Sequence, residues 1–222
     1  MARVPRPARP AIREELLAAA RAEFARCGLE HARVEDIARR AGISKGAFYL
    51  HFGTKGDALH ELVQRFLGAL EDHAVRRREG EARLRKPGGD GREARPQAEL
   101  AFETDLLELL WRNRSVLVAL AGAGDAPARE LADTVRRRMH ALVSRRIAER
   151  ARARALRADL DPAVLADVVV GAYEVLTRRM SALRRRPDLA GWARSLLLVL
   201  DAGMLVPPER RGRTPPAARE RR

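Results

Sequence analysis

Residues 34–55 read VEDIARRAGISKGAFYLHFGTK, and the spacing of apolar and small residues in this stretch decides the fold. Val34, Ile37, Ala38 and Ala41 recur at helical intervals and stop at Gly42, a residue that readily ends a helix. Ser44 is placed to cap a second short helix over 44–52, which carries Phe48 and Phe52 one turn apart. Helix, glycine-containing turn and helix is the layout of a probe for duplex nucleic acid: the small turn residue lets two helices meet steeply, and apolar residues beneath hold the second one out. Gly42 serves the turn; Ile43, Phe48 and Phe52 serve the underside. The opposite face presents Ser44, Lys45, Gly46, Ala47, Tyr49, Leu50 and His51. By type, Lys45 can donate to guanine O6 or N7, Ala47 can touch a thymine methyl, and Gly46 leaves room for close approach. Tyr49, His51 and Lys55 can bond phosphates, and Arg33 can add another such contact.

The longer segment 12–59, IREELLAAARAEFARCGLEHARVEDIARRAGISKGAFYLHFGTKGDAL, resembles the N-terminal domain of the TetR family of repressors. The resemblance implies an all-α homodimer that binds double-stranded operator DNA through this helix-turn-helix and answers to a small-molecule effector through a C-terminal helical domain. It also implies backbone-contacting roles for Tyr49, His51 and Lys55. Three departures from the family pattern stand out. Arg33 occupies the point where Thr or Ser usually caps the second helix, Gly56 replaces an acidic residue after Lys55, and Leu50 sits where a polar or aromatic residue is common.

Working outward, MARVPRPARP at residues 1–10 reads as a basic arm, with Arg3, Arg6 and Arg9 between prolines and available to a minor groove. Ile12, Leu16, Leu17, Ala20 and Phe24 predict a first helix over about 11–27, ended by Gly28. Residues 11–57 thus form the DNA-binding domain and 58–206 the effector-binding and dimerisation domain. Thr54 with Asp57 resembles a capping box opening a helix through Leu59, Leu62, Val63, Phe66 and Leu70 to about 79. The charged segment 80–96, with KPGGDG in its centre, reads as a loop. Helices are expected over 97–112, 114–122 and 127–155, then from Asp161-Pro162 and from Asp188, the last ended by Pro207 and Pro208. Residues 207–222 read as a disordered basic tail.

Two apolar sets remain. Leu165, Val168, Val169, Ala172, Leu176 and Met180, with Trp192, Leu196, Leu197, Val199 and Leu200, exceed what one domain face needs, so a second copy is expected to cover them. Phe66, Phe102, Leu106, Trp111, Met139 and Tyr173, with Glu174 and Thr177 as polar contacts, are the candidates for lining an effector pocket, although each taken singly is an ordinary core residue. Their character suits an apolar or amphipathic effector.

Composition sets the bounds. The chain has 222 residues, 46% of them hydrophobic, and a formal net charge of +14. Lys45, Lys55 and Lys86 are the only lysines, an arginine bias of the kind GC-rich coding produces; the charge permits nucleic-acid binding without demonstrating it. A nonspecific basic nucleoid-type protein is therefore the rival reading, separated by preference for a defined palindrome. Cys27 alone excludes an intrachain disulfide and a multi-thiolate zinc site, and His31, His60, His73 and His140 are scattered, so neither metal nor cofactor is expected. No Ser-His-Asp set, phosphate loop or nucleotide fingerprint points to an enzyme. Without a signal-like or membrane-spanning apolar run, the protein is expected in the cytoplasm.

Overall fold

The computed structural model describes residues 9–84, 91–122, 124–153 and 155–204. Among the described residues the chain is all-α, with eight helices and no strand. They are α1 (Arg9–His31), α2 (Val34–Arg40), α3 (Lys45–Tyr49), α4 (Lys55–Arg83), α5 (Gly91–Ala121), α6 (Ala126–Arg152), α7 (Pro162–Ser181) and α8 (Leu189–Met204).

Local chemistry accounts for most of the boundaries. Thr54 and Asp57 form the reciprocal capping box at the start of α4, with Thr54 Oγ1 accepting from the Asp57 amide at 3.1 Å and Asp57 Oδ2 accepting from the Thr54 amide at 2.9 Å. Asp125 and Asp161 cap α6 and α7, each followed by a proline in the first turn, where no amide hydrogen is needed. Gly28 takes φ +75°, a left-handed backbone that breaks the helical path of α1 before its last residues.

Three sequence expectations change. The first helix begins at Arg9, so Arg9 and Pro10 belong to α1 instead of the arm; residues 1–8, with Arg3 and Arg6, lie outside the described residues, as does the tail at 207–222. The expected 80–96 loop is largely helix, because α4 runs to Arg83 and α5 starts at Gly91; the Arg, Glu and Ala of 92–95 favour helix strongly enough to tolerate Pro96. Lys86 and its prolyl-glycyl run lie outside the described residues. The expected helices over 97–112 and 114–122 are one helix. Asn113 does not terminate it, since its side-chain amide donates to the Leu109 carbonyl at 2.8 Å one turn back.

Helix α5 is the hub, packing on α1, α4, α6, α7 and α8. Its stripe of Glu103, Leu107 and Leu110 is fully buried, and so is Val116 on another side of the helix. One continuous core joins this hub to the N-terminal helices through Leu16, Leu59, Leu62 and Phe66, so the platform beneath α2 and α3 is rigidly seated on the larger bundle.

Candidate nucleic-acid interface and ligand cleft

The turn between α2 and α3 closes as its residues require. Gly42 adopts φ +69°, and the Ile43 amide donates to the Ala38 carbonyl at 3.0 Å, which ends α2. Arg33, at the N-cap of α2, makes no side-chain cap bond; Glu35 and Asp36 in the first turn supply the negative charge that this helix end favours. Ser44 Oγ accepts from the Ala47 amide at 3.1 Å and starts α3. Phe48 is wholly buried and Phe52 nearly so, with ring centroids 5.7 Å apart. Arg13 locks the far end: its guanidinium lies 4.3 Å from the Phe52 ring centroid and donates to the His51 carbonyl at 2.8 Å. A helix of five residues could not hold itself. It is held by its two phenylalanines from below and by its caps at both ends.

The outer face carries exposed Ser44, Lys45 and Gly46, with Tyr49 49% and Leu50 82% exposed; Ala47 and His51 are half-buried at its edge. A lone exposed leucine at the end of a polar face is the departure from pattern noted above. Lys45 Nζ sits 2.5 Å from Glu35 Oε1. The hydrogen bond to Glu35, then its charge, holds the Lys45 ammonium above the usual lysine range, and the same bond depresses the Glu35 carboxyl. Lys55 stands apart from the other candidates: its ammonium donates to the Glu30 and Ala32 carbonyls at 2.8 and 2.9 Å, fastening the end of α1 to the start of α4. Glu23, buried in α1, takes Arg26 at 2.7 Å and Arg40 at 2.8 Å, anchoring the last turn of α2; sequence alone had not singled it out. Glu23 falls on the same helical face as Leu16, Ala20 and Phe24, which is the one signal available.

A second site lies in the bundle. A cleft of about 100 Å³ is lined by α4, α6, α7 and α8 around Leu106 of α5. Of the expected pocket residues, Leu106, Met139 and Tyr173 line it. Met139 and Tyr173 also line a neighbouring cavity of about 140 Å³, together with Glu174 and Thr177. Phe66, Phe102 and Trp111 line neither: Phe66 is sealed in the core, Phe102 packs edge-on to His73 with ring centroids 6.5 Å apart, and Trp111 lies under the Arg114 guanidinium at 3.5 Å.

The wall of the first cleft is charged in a way the sequence did not announce. Tyr173 donates to Glu103 Oε1 at 2.7 Å, and Arg77 approaches Glu103 Oε2 at 3.5 Å and Glu99 at 2.6 Å. Arg146 and Arg150 reach the same Glu99 at 2.9 and 3.2 Å. Burial works to lower the Arg77 guanidinium, but Glu99 and Glu103 outweigh it and hold it above the usual arginine range. Burial also raises the Tyr173 hydroxyl, so it stays a donor. The signal was Glu103 itself, which shares the buried stripe of α5 with Leu107 and Leu110.

Along α7 and α8, Val168 and Val199 are exposed, as are Val164, Val175 and Leu198, which extend the same apolar surface. Leu165, Ala172, Leu176, Trp192, Leu196, Leu197 and Leu200 are half-buried beside them. Val169 and Met180 turn inward and belong to this chain's own core, a correction to their expected place on the outer face; each sits on the side of α7 that meets α5 and α6. No described helix is long and apolar enough to cross a membrane.

Residues 16–62 match the family described as bacterial regulatory proteins, tetR family. The chain is 47% identical over 58 residues to the transcriptional repressor KstR2 of Mycobacterium tuberculosis, covering 26% of this chain and 29% of that one. It is 37% identical over 75 residues to ArpR, a probable transcriptional regulator of Pseudomonas putida, covering 32% and 34%. The sequence match thus spans about a third of these relatives' length. The fold likeness is wider. NalD, the secondary repressor of the MexAB-OprM efflux pump in Pseudomonas aeruginosa, superposes over 88% of this chain and 98% of its own, with TM-score 0.62 at 21% identity. A SmeT–triclosan complex superposes over 89% and 93%, with TM-score 0.63 at 23% identity.

Proposed function

We propose that this chain, whose residues 16–62 belong to the tetR family of bacterial regulatory proteins, is a homodimeric repressor released from a palindromic operator by a small apolar or amphipathic effector. The observation that carries the reading is α3: a short rod pinned from beneath by Phe48 and Phe52 while Lys45 and Tyr49 face outward. Such a rod fits a major groove, with Ser44, Lys45, Gly46 and Ala47 nearest the bases and Arg33, Tyr49 and His51 nearest the phosphates. Lys55 acts from one step behind by holding α1 to α4.

In this reading residues 11–57 bind DNA and 58–206 bind effector and partner. The valines and leucines exposed on α7 and α8 pair with those of a second copy, an isologous arrangement that offers two α3 helices to two half-sites. Helix α4 provides the link, since it begins at the capping box behind α3 and lines the bundle cleft from Leu70 to Glu81. A ligand that prefers a shifted α4 changes the spacing of the two rods, and effector and operator affinities are then reciprocally coupled. The solved SmeT–triclosan complex supports a small molecule as the kind of ligand a protein of this fold accepts.

Selecting bound sequences from random DNA with the purified chain tests the proposal. An inverted repeat is the expected outcome, and Lys45→Ala combined with Tyr49→Ala abolishes its selection while circular dichroism shows an intact fold. Enrichment of no sequence, with equal binding of all DNA at physiological salt, assigns the chain to nonspecific basic binding instead.

A further inference from the structure

The bundle cleft has two chemically different ends. On α4 the lining residues pass from Leu70 through His73 and Ala74 to Arg77, and on α6 from Met139 through Leu142 and Val143 to Arg146 and Arg150. The two helices run alongside each other in the same direction, because Glu71 meets Arg138 at 3.2 Å while Arg77 and Arg146 share Glu99 six and eight residues further on. The cleft is therefore apolar at one end and guanidinium-lined at the other, over about 10 Å of helix rise.

The charges at the basic end are unevenly matched. Arg77, Arg146 and Arg150 converge on the single carboxylate of Glu99, and Arg78 and Arg145 add two more cations to the lining. The facing carboxylates are Glu81 and Glu149 on the lining and Glu103 behind it, the last already occupied by Tyr173 and Arg77. Two buried nitrogens on lining residues, Arg146 Nε and His73 Nε2, have no hydrogen-bond partner among the described residues. Burial, followed by the repulsion of Arg77 and Arg150, brings the Arg146 guanidinium down to about 10, and the Glu99 carboxylate offsets only part of this. A buried donor left in that condition is costly unless something accepts from it.

We propose that the cleft binds an amphiphilic carboxylate, its apolar body against Leu70, Leu106, Met139 and Val143 and its carboxylate at the guanidinium end, beside Arg146. This rests on the reading of the cleft as the effector site and names the chemical class of that effector. Neutral amphiphiles fit the apolar end but leave the guanidinium end unanswered; cationic ones meet five arginines.

Equilibrium dialysis of the purified full chain against decanoate, 1-decanol and decyltrimethylammonium separates these cases. Decanoate is expected to bind roughly ten-fold tighter than decanol, the worth of one charge-assisted hydrogen bond, and the ammonium weakest. Arg146→Met removes the advantage of decanoate over decanol, with the fold checked by circular dichroism. Arg146→Lys, which keeps the charge but loses the forked donors, removes part of it and serves if the methionine variant does not fold. Equal binding of decanoate and decanol, or an advantage that survives both substitutions, overturns the assignment of an acidic ligand and leaves the effector cleft standing. Binding of none of the three overturns the cleft as an amphiphile site, while selection of DNA sequences still tests the interface at α3 by itself.

Discussion

Lys45 on α3 and Arg77 on α4 are both cations paired with glutamates, yet their surroundings give them opposite properties. The Lys45–Glu35 pair is about half exposed at each partner, so water solvates either group when the pair opens, and the lysine can exchange a carboxylate for a guanine acceptor at little cost. Arg77 is 7% exposed and Glu103 1%, and opening that contact leaves charge in a dry interior. Surface pairing keeps a recognition residue available; buried pairing fixes α4, α5, α6 and α7 in one register. The two regions share a chain but divide these tasks between them.

The largest effect comes from breaking the buried side. Arg77→Met leaves Glu99 and Glu103 with one guanidinium fewer, and the expected loss is about 3–5 kcal/mol of unfolding free energy, read by urea denaturation. Adding Glu103→Leu and Tyr173→Phe to that variant restores much of the loss, because the apolar set leaves no buried polar group without a partner. If the single substitution were as mild as one at the surface, the contrast between the regions would not hold.

Tyr173→Phe makes a finer cut. It removes the hydroxyl that donates to Glu103 Oε1 without altering ring packing, and about 1–3 kcal/mol should be lost in the same denaturation measurement. The buried Glu103 then retains Arg77 at 3.5 Å as its remaining side-chain partner, so the Arg77→Met substitution is expected to cost more in this background than alone. Simple additivity would mean that Tyr173 and Arg77 do not act on Glu103 as one unit.

The two regions also differ in how far the sequence discloses them. At α3 every device is local: Gly42, the Ser44 cap, the two phenylalanines and the Thr54–Asp57 box all lie within sixteen residues of one another, and spacing alone reveals them. The arginine wall is assembled from residues 22 to 70 positions apart, so nothing in a helical pattern announces it, and charged positions on Arg-rich helices read as solvated. The same gap explains the pocket list: Leu106, Met139 and Tyr173 reach the cleft, whereas Phe66 and Trp111 were plausible by type and are placed elsewhere by packing. Helix lengths around 80–122 differ from the sequence expectation because Pro96 and Asn113 carry turn propensities that the surrounding Ala, Arg, Glu and Leu override.

The smallest expected change is also the most specific to the surface side. Glu35→Gln should leave the melting temperature close to that of the parent chain, since Asp36 still occupies the first turn of α2 and the Lys45 ammonium passes to solvent. Binding to operator DNA should nevertheless become tighter: the substitution removes a carboxylate beside the groove-facing surface and releases a lysine it had engaged. The salt dependence discriminates this from a general gain in charge. A lysine freed to reach a base edge leaves the slope of log affinity against log salt nearly unchanged, whereas a general gain of charge at the phosphates steepens it by up to about 0.9. Fluorescence anisotropy at several salt concentrations gives both numbers. Weaker binding by Glu35→Gln would mean that Glu35 positions Lys45 for the groove instead of restraining it, and the surface pair would then resemble the buried one in being needed intact.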